Sequence, residues 1–158
     1  MKKGSIILLV AISFIACKKD SKVDDIINPT ASFTCKINGT SWSAITRITK
    51  RQGNNFIITG TGSLGNDVLN ITTFGITAKT YTLDPINATT EFSATFTTDT
   101  NTSDSLYQAV NGTVTLTSVD TVNKKISGTF SFRSCKIINP LLLKEVTNGS
   151  FSNLNYTE

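Results

Sequence analysis

The stretch Phe33-Thr-Cys-Lys-Ile-Asn-Gly-Thr-Ser-Trp-Ser-Ala44 decides the fold of this chain. From Phe33 to Ile37 apolar residues alternate with polar ones, which is the period of a β-strand that buries one face. Asn38-Gly39 is typical of a type I′ turn, because both residues tolerate the positive φ angles that this turn requires. Trp42 and Ala44 continue the apolar face on the returning strand, which we expect to extend towards Ile48. We therefore expect a β-hairpin at the start of the folded domain.

The same alternation, rich in threonine, continues to the end of the chain without a stretch of helical periodicity. After the opening hairpin we expect strands over residues 55–61, 68–74, 80–83, 92–97, 106–117, 126–135 and 146–156. Short turns between sequential strands favour an antiparallel meander, and about nine strands are too many for one flat sheet. The sequence therefore predicts an all-β fold, an antiparallel meander of about nine strands that forms a sandwich or a partly closed barrel.

One apolar cluster, Leu141 to Leu143 after Pro140, lies outside this alternation. We expect it to cap one end of the core. The alternative is an exposed apolar patch.

The first 16 residues have the pattern of an export signal. Lys2 and Lys3 precede an apolar run from Ile6 to Ala16, which is too short to span a bilayer core of about 30 Å as a helix. Ala16-Cys17 resembles the cleavage site of bacterial lipoproteins, in which the cysteine receives a diacylglycerol and becomes the new N-terminus. We therefore expect lipidation of Cys17. The alternative is an ordinary secretory signal followed by an incidental cysteine.

The chain divides into three parts. Residues 1–16 are the signal, residues 17–29 are a charged tether that cannot bury apolar surface, and residues 30–158 are a single β domain. Without Lys2 and Lys3 the chain has 13 basic and 11 acidic side chains, a net charge of +2. Because the basic residues are scattered and have no aromatic platform around them, we expect no nucleic-acid partner.

Composition also restricts the chemistry. The chain has no histidine, which excludes Ser-His-Asp and Cys-His sites and removes the usual ligand of transition metals. Glutamates are few and aspartates fall mostly in predicted turns, which does not favour a pair of catalytic acids. The segment from Asp99 to Asp104 alternates oxygen ligands, but Asp104 and Val110 stand where a calcium-binding EF-hand loop has glycine and glutamate. We therefore expect no enzyme activity, no cofactor and no metal site.

The domain contains two cysteines, Cys35 and Cys135. An oxidising compartment would allow them to form a disulfide. The alternative is a pair of buried free thiols, because Cys135 is out of phase with Phe130 and Phe132 unless a bulge intervenes.

Aromatic side chains provide candidates for ligand contact, since their faces stack on sugar rings and they tolerate half-exposed positions. The candidates are Trp42, Tyr81, Tyr107 and Tyr156. For Trp42 the alternative is core packing, because it is in phase with Ala44. The tyrosines could equally anchor their hydroxyl groups at the rim of the fold.

The opening hairpin and three later segments resemble, in this order, an uncharacterised group of Bacteroidota lipoproteins that carry a domain of unknown function. The three segments are Gly112-Thr-Val-Thr-Leu-Thr, Ile126-Ser-Gly-Thr-Phe-Ser-Phe132 and Val146-Thr-Asn-Gly-Ser-Phe151. The resemblance implies a small all-β domain behind a lipoprotein signal. It implies no activity, because the group has no assigned catalytic residues.

Two further expectations depend on this resemblance. In lipoproteins of the Bacteroidota an acidic segment behind the cysteine directs display on the cell surface. Asp24-Asp25 fits that pattern, whereas Lys18-Lys19 does not, so surface and periplasmic positions both stay open. Asp104-Ser105-Leu106 and Asp120-Thr121-Val122 resemble the acceptor of protein O-glycosylation in these bacteria, which makes Ser105 and Thr121 candidate glycosylation sites.

We expect a cell-envelope lipoprotein, anchored in the outer membrane, that acts in binding or assembly and not in catalysis. Its expected partners are the membrane, through the N-terminal lipid, and a glycan or an envelope protein. The alternatives are a glycan-binding accessory of a nutrient-uptake system, expected to show a row of exposed aromatic residues, and a lipocalin-like carrier with an apolar cavity.

Overall fold

The computed structural model of the chain describes residues 31–62, 66–102 and 104–158. The predicted signal, Cys17 and the tether lie outside these residues. The described part contains strands β1 (Ser32–Ile37), β2 (Thr40–Ser43), β3 (Thr46–Gln52), β4 (Asn55–Thr61), β5 (Val68–Thr73), β6 (Thr80–Asp84), β7 (Thr89–Thr90), β8 (Phe92–Thr97), β9 (Leu106–Asp120), β10 (Lys125–Lys136) and β11 (Asn139–Thr157). Within the described ranges, no helix has the length and apolarity needed to cross a membrane.

The all-β prediction is confirmed. The strands form one sheet in the order β2-β1-β11-β3-β4-β5-β8-β9-β6-β7, with β10 paired to both β9 and β11, so the sheet partly rings round on itself. All strand pairs are antiparallel except β11 with β3. The opening hairpin forms as expected, with Asn38 and Gly39 at φ angles of 49° and 82°.

The described part has eleven strands and not about nine, for two reasons. The returning strand of the first hairpin is divided: β2 pairs with β1, whereas β3 pairs with β4 and β11. The backbone changes partner at Ala44 and Ile45, whose N–H groups donate to Phe33 and Thr61. The second additional strand is β7, whose two residues pair with Leu83 and Asp84 of β6.

Two layers face each other across the core. The first layer contains β2, β1, β11, β10, β9, β6 and β7, and the second contains β3, β4, β5 and β8. The long strands β9 and β11 join them, because β9 starts beside β8 and continues beside β6, whereas β11 starts beside β10 and β1 and ends beside β3. Rings meet across the core, as in the 6.5 Å separation of the Phe92 and Phe132 centroids.

The centre of the core is a cluster of aromatic rings. The Phe33 side chain is fully buried, and its ring centroid lies 5.6 Å from Trp42, 5.5 Å from Phe130 and 6.2 Å from Phe151. Gly60 of the opposite layer makes room for it, since a β-carbon there would lie 2.7 Å from the Phe33 ring. The interior is therefore filled by packed side chains.

The prediction that Leu141 to Leu143 cap the core is wrong. Their exposed fractions are 89%, 45% and 49%. Strand β1 ends where Ile37 pairs with Val146, so the β10–β11 hairpin continues past its neighbour. The leucines consequently lie beyond the end of the core and form an exposed apolar patch.

Candidate binding face

Each of six neighbouring strands contributes a hydroxyl-bearing residue to one row across the outer face of the first layer. The strand registers place these residues side by side in the order Ser43, Thr34, Ser150, Thr129, Thr115 and Thr80. None of the six is buried. Because neighbouring strands lie about 4.8 Å apart, the row is about 24 Å long.

A second row runs parallel to the first, two residues further along each strand, or three residues on β11, where the bulge lies. It contains Ser41, Lys36, Thr147, Ser131, Thr113 and Thr82. Two residues of a strand span about 7 Å, so the two rows form a grid of hydroxyl groups with one lysine. We call these twelve residues, together with Asn148, the polar face.

The local sequence explains why the hydroxyl groups point outward. In β10 the residues Thr129 and Ser131 alternate with Phe130 and Phe132, which are 3% exposed and belong to the core. Successive side chains of a strand point to opposite faces, so burial of the phenylalanines places the hydroxyl groups in solvent. Threonine is also a favourable strand residue because of its branched β-carbon.

Hydrogen bonds between neighbouring strands hold part of this grid. The hydroxyl groups of Thr34 and Ser150 lie 3.2 Å apart, and those of Thr80 and Thr115 lie 2.9 Å apart. Thr129 in the middle of the row is exposed. Among the described residues, hydrogen bonds between hydroxyl groups therefore order the row on both sides of Thr129, whose own hydroxyl group is free.

Three adjoining hollows lie over the polar face. The middle one, of about 550 Å³, is lined by Thr113, Thr129, Ser131, Thr147, Asn148 and Ser150. A hollow of about 380 Å³ lies towards β2 and is lined by Lys36, Ser41, Trp42 and others. A third, of about 220 Å³, lies towards the β10–β11 hairpin and includes Arg133 and Glu145. The hollows share lining residues, so the polar face from β2 to Thr113 of β9 forms a continuous shallow depression.

Asn148 lies where the middle hollow meets the one towards β2. Its φ angle is 51°, a left-handed conformation that asparagine adopts more readily than most residues. The β1–β11 register is interrupted by a bulge between Thr34 and Lys36, opposite the segment that contains Asn148. Bulges bend strands and reorient side chains next to binding sites. Here the bulge accompanies an exposed amide in the hollow.

The charged groups of this depression are few. Arg133 and Glu145 form an ion pair of 3.3 Å whose side chains are 50% and 61% exposed, and Lys36 is exposed at the other end. Glu145 is the one carboxylate among the residues named for the three hollows. The depression thus offers hydrogen-bond donors and acceptors, but not the pair of acids that glycoside hydrolysis uses.

Two of the four predicted ligand contacts lie inside the core. Tyr81 is fully buried, and its hydroxyl group donates to the Thr77 carbonyl at 2.8 Å and accepts from the Thr77 N–H at 3.0 Å. Tyr156 is 3% exposed and its ring packs 5.0 Å from Phe56. The prediction of ligand contact is wrong for both, because both side chains lie on the buried faces of their strands.

The other two aromatic candidates are partly exposed and lie apart. The Trp42 ring packs edge to face on Phe33, its indole N–H donates to the Asp67 carboxylate, and its edge borders the hollow towards β2. Tyr107 lies under the ammonium group of Lys144, which is 5.0 Å from its ring. Trp42, Tyr81, Tyr107 and Tyr156 therefore do not form a row on one face.

Both cysteines are free, and the strand registers keep them apart. Cys35 lies in β1 opposite Trp42, whereas Cys135 lies in β10 opposite Leu143. Strand β11 separates them, with Cys35 near residue 148, so they are offset by about 17 Å along the strands, far beyond the reach of a disulfide. Burial raises the pKa of the Cys35 thiol to about 12, which makes it a structural and not a reactive group.

The two candidate glycosylation sites differ in exposure. Ser105 is 5% exposed, and its hydroxyl group donates to the carbonyls of Asp99 and, at 2.8 Å, Thr102. The folded domain therefore withholds this hydroxyl group from a transferase. Thr121 lies exposed in the β9–β10 turn beside Asp120.

That turn is stabilised by the Asp120 carboxylate. It accepts hydrogen bonds from the Asn123 side chain at 2.7 Å and from the N–H groups of Asn123 and Val122 at 2.8 and 3.0 Å. The side-chain bond from Asn123, followed by the N–H bonds, holds the pKa of Asp120 below its ordinary value. Thr121 is thus presented at the tip of a well-ordered turn.

No cluster of three or more histidine, cysteine, aspartate or glutamate residues in the described part could hold a metal ion. In the segment considered for calcium, the Asp99 carboxylate accepts from the N–H and the amide of Asn101. Asp104 instead pairs with Lys136 at 2.9 Å. The two carboxylates engage different partners, and Ser103 between them lies outside the described residues.

Sequence reasoning missed the polar face. The alternating Ser and Thr of Gly112-Thr-Val-Thr-Leu-Thr and of the neighbouring strands was the signal that could have found it. That alternation predicts polar outer faces strand by strand, but only the register brings the six strands into common rows.

Comparison with known proteins gives a family without a known activity. No curated protein and no solved structure shows a significant similarity to the chain. Residues 29–155 match the family described as Domain of unknown function (DUF6252). The match covers most of the chain and all eleven strands except the last residues of β11. The chain therefore belongs to the DUF6252 family, a domain of unknown function.

Proposed function

We propose that this protein is a lipid-anchored lipoprotein of the cell envelope that binds an extended, hydroxyl-rich ligand, a glycan chain, through the polar face. The observation that carries the proposal is the pair of hydroxyl rows across six strands. Serine and threonine hydroxyl groups both donate and accept hydrogen bonds, as sugar hydroxyl groups do. A grid about 24 Å long matches a chain of several sugar units better than a compact small molecule.

The shape of the polar face supports weak, distributed binding. The three hollows are shallow and continuous, so many contacts form along the ligand and no single one dominates. A net hydrogen bond contributes about 0.5 to 1.5 kcal/mol, because water competes for the same groups. The expected affinity for one glycan chain is therefore modest and rises when several chains are presented together.

The sequence supports a non-enzymatic role and a lipid anchor. The whole chain lacks histidine, and among the described residues Glu145 is the one carboxylate that lines the three hollows over the polar face. Cys17 follows a signal with basic and apolar regions, which fits lipidation and attachment to the outer membrane, on its surface or its periplasmic side. The anchor would hold the polar face near envelope glycans.

The alternative of a lipocalin-like carrier has less support. Such a carrier needs an apolar cavity of several hundred Å³. The rings of Phe33, Phe130 and Phe151 pack against one another at the centre of the domain, at the place where a carried ligand would lie.

Glycan binding is tested with the chain from residue 18 to 158 on an array of bacterial and dietary glycans, followed by titration of the best glycan. Two single variants, Thr129→Val and Ser131→Ala, each remove one hydroxyl group from the middle hollow. Each new side chain is similar in size to the one that it replaces. Thr72→Val is the matched control, because Thr72 is also outward and partly exposed but lies in the second layer.

We expect the two polar-face variants to weaken binding about fivefold or more, from the loss of about 1 kcal/mol per hydrogen bond, while the control binds like the wild type. Binding to no glycan above background would overturn the proposal. Equal affinity of the wild type and both polar-face variants would place the ligand elsewhere.

The anchor is tested separately. Cells that express the full chain are treated with globomycin, which inhibits the lipoprotein signal peptidase, and the protein is examined by mass spectrometry. We expect an unprocessed precursor, and a Cys17→Ser variant without acyl chains. Normal processing under globomycin would contradict the lipoprotein assignment.

A further inference from the structure

The end of the β10–β11 hairpin exposes five branched aliphatic side chains. We call them the leucine hairpin: Ile137, Ile138, Leu141, Leu142 and Leu143, with exposed fractions of 51%, 64%, 89%, 45% and 49%. These five are half of the ten large apolar side chains that are exposed in the described part of the chain. Together they expose on the order of 500 Å² of apolar surface, the size of the largest patches on monomeric proteins, and such patches mark interaction sites.

The backbone of the leucine hairpin also has an open edge. Just past Val146, Asn38 still binds β11: its N–H donates to the Glu145 carbonyl and its side-chain oxygen accepts from the Glu145 N–H, both at 2.8 Å. From Lys144 back to Asn139, β1 provides no partner to β11, and the β10 register assigns none to residues 140–142. The Leu141 N–H donates to the Asn139 side chain at 3.3 Å, which is a local contact. An open strand edge is a template for pairing with another strand. Acyl chains cannot satisfy it, because they offer no hydrogen bonds to N–H and carbonyl groups.

Three consecutive leucines make the segment self-complementary. When two identical strands pair antiparallel about Leu142, Leu142 faces its own copy and Leu141 faces the Leu143 of the other chain. Apolar pairs then form on both faces of the strand, and the contact is closed by a twofold axis. A second copy therefore matches the apolar side chains and the open edge together.

The charges around the hairpin permit this approach. Lys136 is paired with Asp104 at 2.9 Å and Arg133 with Glu145 at 3.3 Å, so two of the nearby cations are neutralised within the chain. The Lys144 ammonium group lies 5.0 Å from the Tyr107 ring. Two copies of the hairpin consequently approach with little net electrostatic repulsion. The hairpin also offers little unpaired positive charge to a negatively charged lipid surface.

We infer that the leucine hairpin is a self-association site at which two copies pair antiparallel, centred on Leu142. Two such patches bury on the order of 1,000 Å² in total, the lower limit for a specific interface, so the dimer is reversible and not obligate. Ser32 pairs with Ser152, ten residues along β11 from Leu142, so the tether leaves about 33 Å from the interface. Two anchored chains can therefore associate while each keeps its own tether.

The inference is tested by sedimentation velocity of the chain from residue 18 to 158, from low to high micromolar concentration. Leu142→Lys places two like charges opposite each other on the twofold axis. Val122→Lys is the matched control, because Val122 is an aliphatic residue that is 88% exposed at the tip of the β9–β10 turn. Thermal unfolding by circular dichroism verifies that both variants are folded.

A position-specific measurement accompanies this one. In a Cys135→Ser background, Leu142→Cys is oxidised under mild conditions and compared with Val122→Cys. A disulfide between two chains at position 142, and not at position 122, locates the twofold axis independently of any effect of lysine on stability.

We expect a concentration-dependent monomer–dimer equilibrium, a dimer dissociation constant raised about tenfold or more by Leu142→Lys, and no change with Val122→Lys. A chain that stays monomeric at every concentration overturns the inference. A dimer whose dissociation constant is unchanged by Leu142→Lys and that forms no crosslink at position 142 also overturns it. Flotation of the unlipidated chain with phosphatidylethanolamine–phosphatidylglycerol vesicles, lost in Leu142→Lys, would assign the patch to lipid instead. Glycan binding is unaffected by any of these outcomes, so the two proposals can fail separately.

Discussion

Replacement of Phe33 by alanine is expected to remove a large part of the stability of this domain. The side chain is fully buried, and its ring meets those of Trp42, Phe130 and Phe151 edge to face at centroid distances between 5.5 and 6.2 Å. Truncation of a buried phenylalanine costs about 3 to 5 kcal/mol of unfolding free energy. Each of the three ring contacts contributes about 0.5 to 1.5 kcal/mol beyond burial, which favours the upper end, about 5 kcal/mol.

Phe74→Ala is the matched control, because the same atoms are removed from a side chain that is 47% exposed. We expect it to cost no more than about 1.5 kcal/mol, in proportion to the smaller area withdrawn from water. Since a domain of this size is stable by about 5 to 15 kcal/mol, the Phe33 variant should be marginally folded and the Phe74 variant clearly folded.

Urea unfolding of the two variants and the wild type measures this difference. Trp42 is the one tryptophan of the chain and packs on Phe33, so its fluorescence reports on the centre of the core, while circular dichroism reports on the sheet. Coincident transitions by the two probes would justify a two-state analysis. A cost below about 2 kcal/mol for Phe33→Ala, or equal costs for the two variants, would refute the view that this cluster of rings stabilises the core.

Three other expectations can be measured on the same protein. A thiol reagent should label Cys135 in the folded state and Cys35 only after unfolding, because burial raises the Cys35 pKa to about 12; simultaneous labelling would contradict this. Gly112→Ala should lower the free energy of unfolding in urea by about 3 kcal/mol or more, because the Gly112 φ angle is 140° and the added β-carbon would clash with the backbone of β10. Gly39→Ala is the control: its added β-carbon has no neighbour within 4 Å, so it should cost only about 1 kcal/mol, and equal costs for the two variants would contradict this. Because folding lowers the pKa of Asp120, its ionised carboxylate stabilises the folded state at pH values above the unfolded pKa. The free energy of unfolding should therefore fall as the pH drops below about 4, and it should fall less in Asp120→Asn. Identical pH profiles for the two proteins would exclude this contribution.

Much of the architecture follows from local sequence. Alternation of Phe130 and Phe132 with Thr129 and Ser131 identifies a strand, its buried face and its polar face without knowledge of the rest of the chain. Asn38-Gly39 likewise predicts its own turn. These features are local because side-chain parity and turn conformation depend on residues that are close in the chain.

Features that depend on distant partners were predicted less well. Tyr156 was expected to contact a ligand, yet pairing of β11 with β3 buries it beside Phe56. The presence of two cysteines in the domain allows a disulfide between Cys35 and Cys135, whereas the strand register offsets them along the strands. In each case the outcome depends on which strands are neighbours.

The sequence by itself therefore determined the all-β class, the parity of most strands and the residues of the core, since each is a property of short segments. Only the tertiary structure decided that hydroxyl groups of six strands share one row and that the leucine hairpin extends beyond the core. Thr34 meets Ser150 across more than one hundred residues of chain. The physical reason is that a strand carries its pattern within itself, but its neighbours and its register are chosen by the packing of the whole domain.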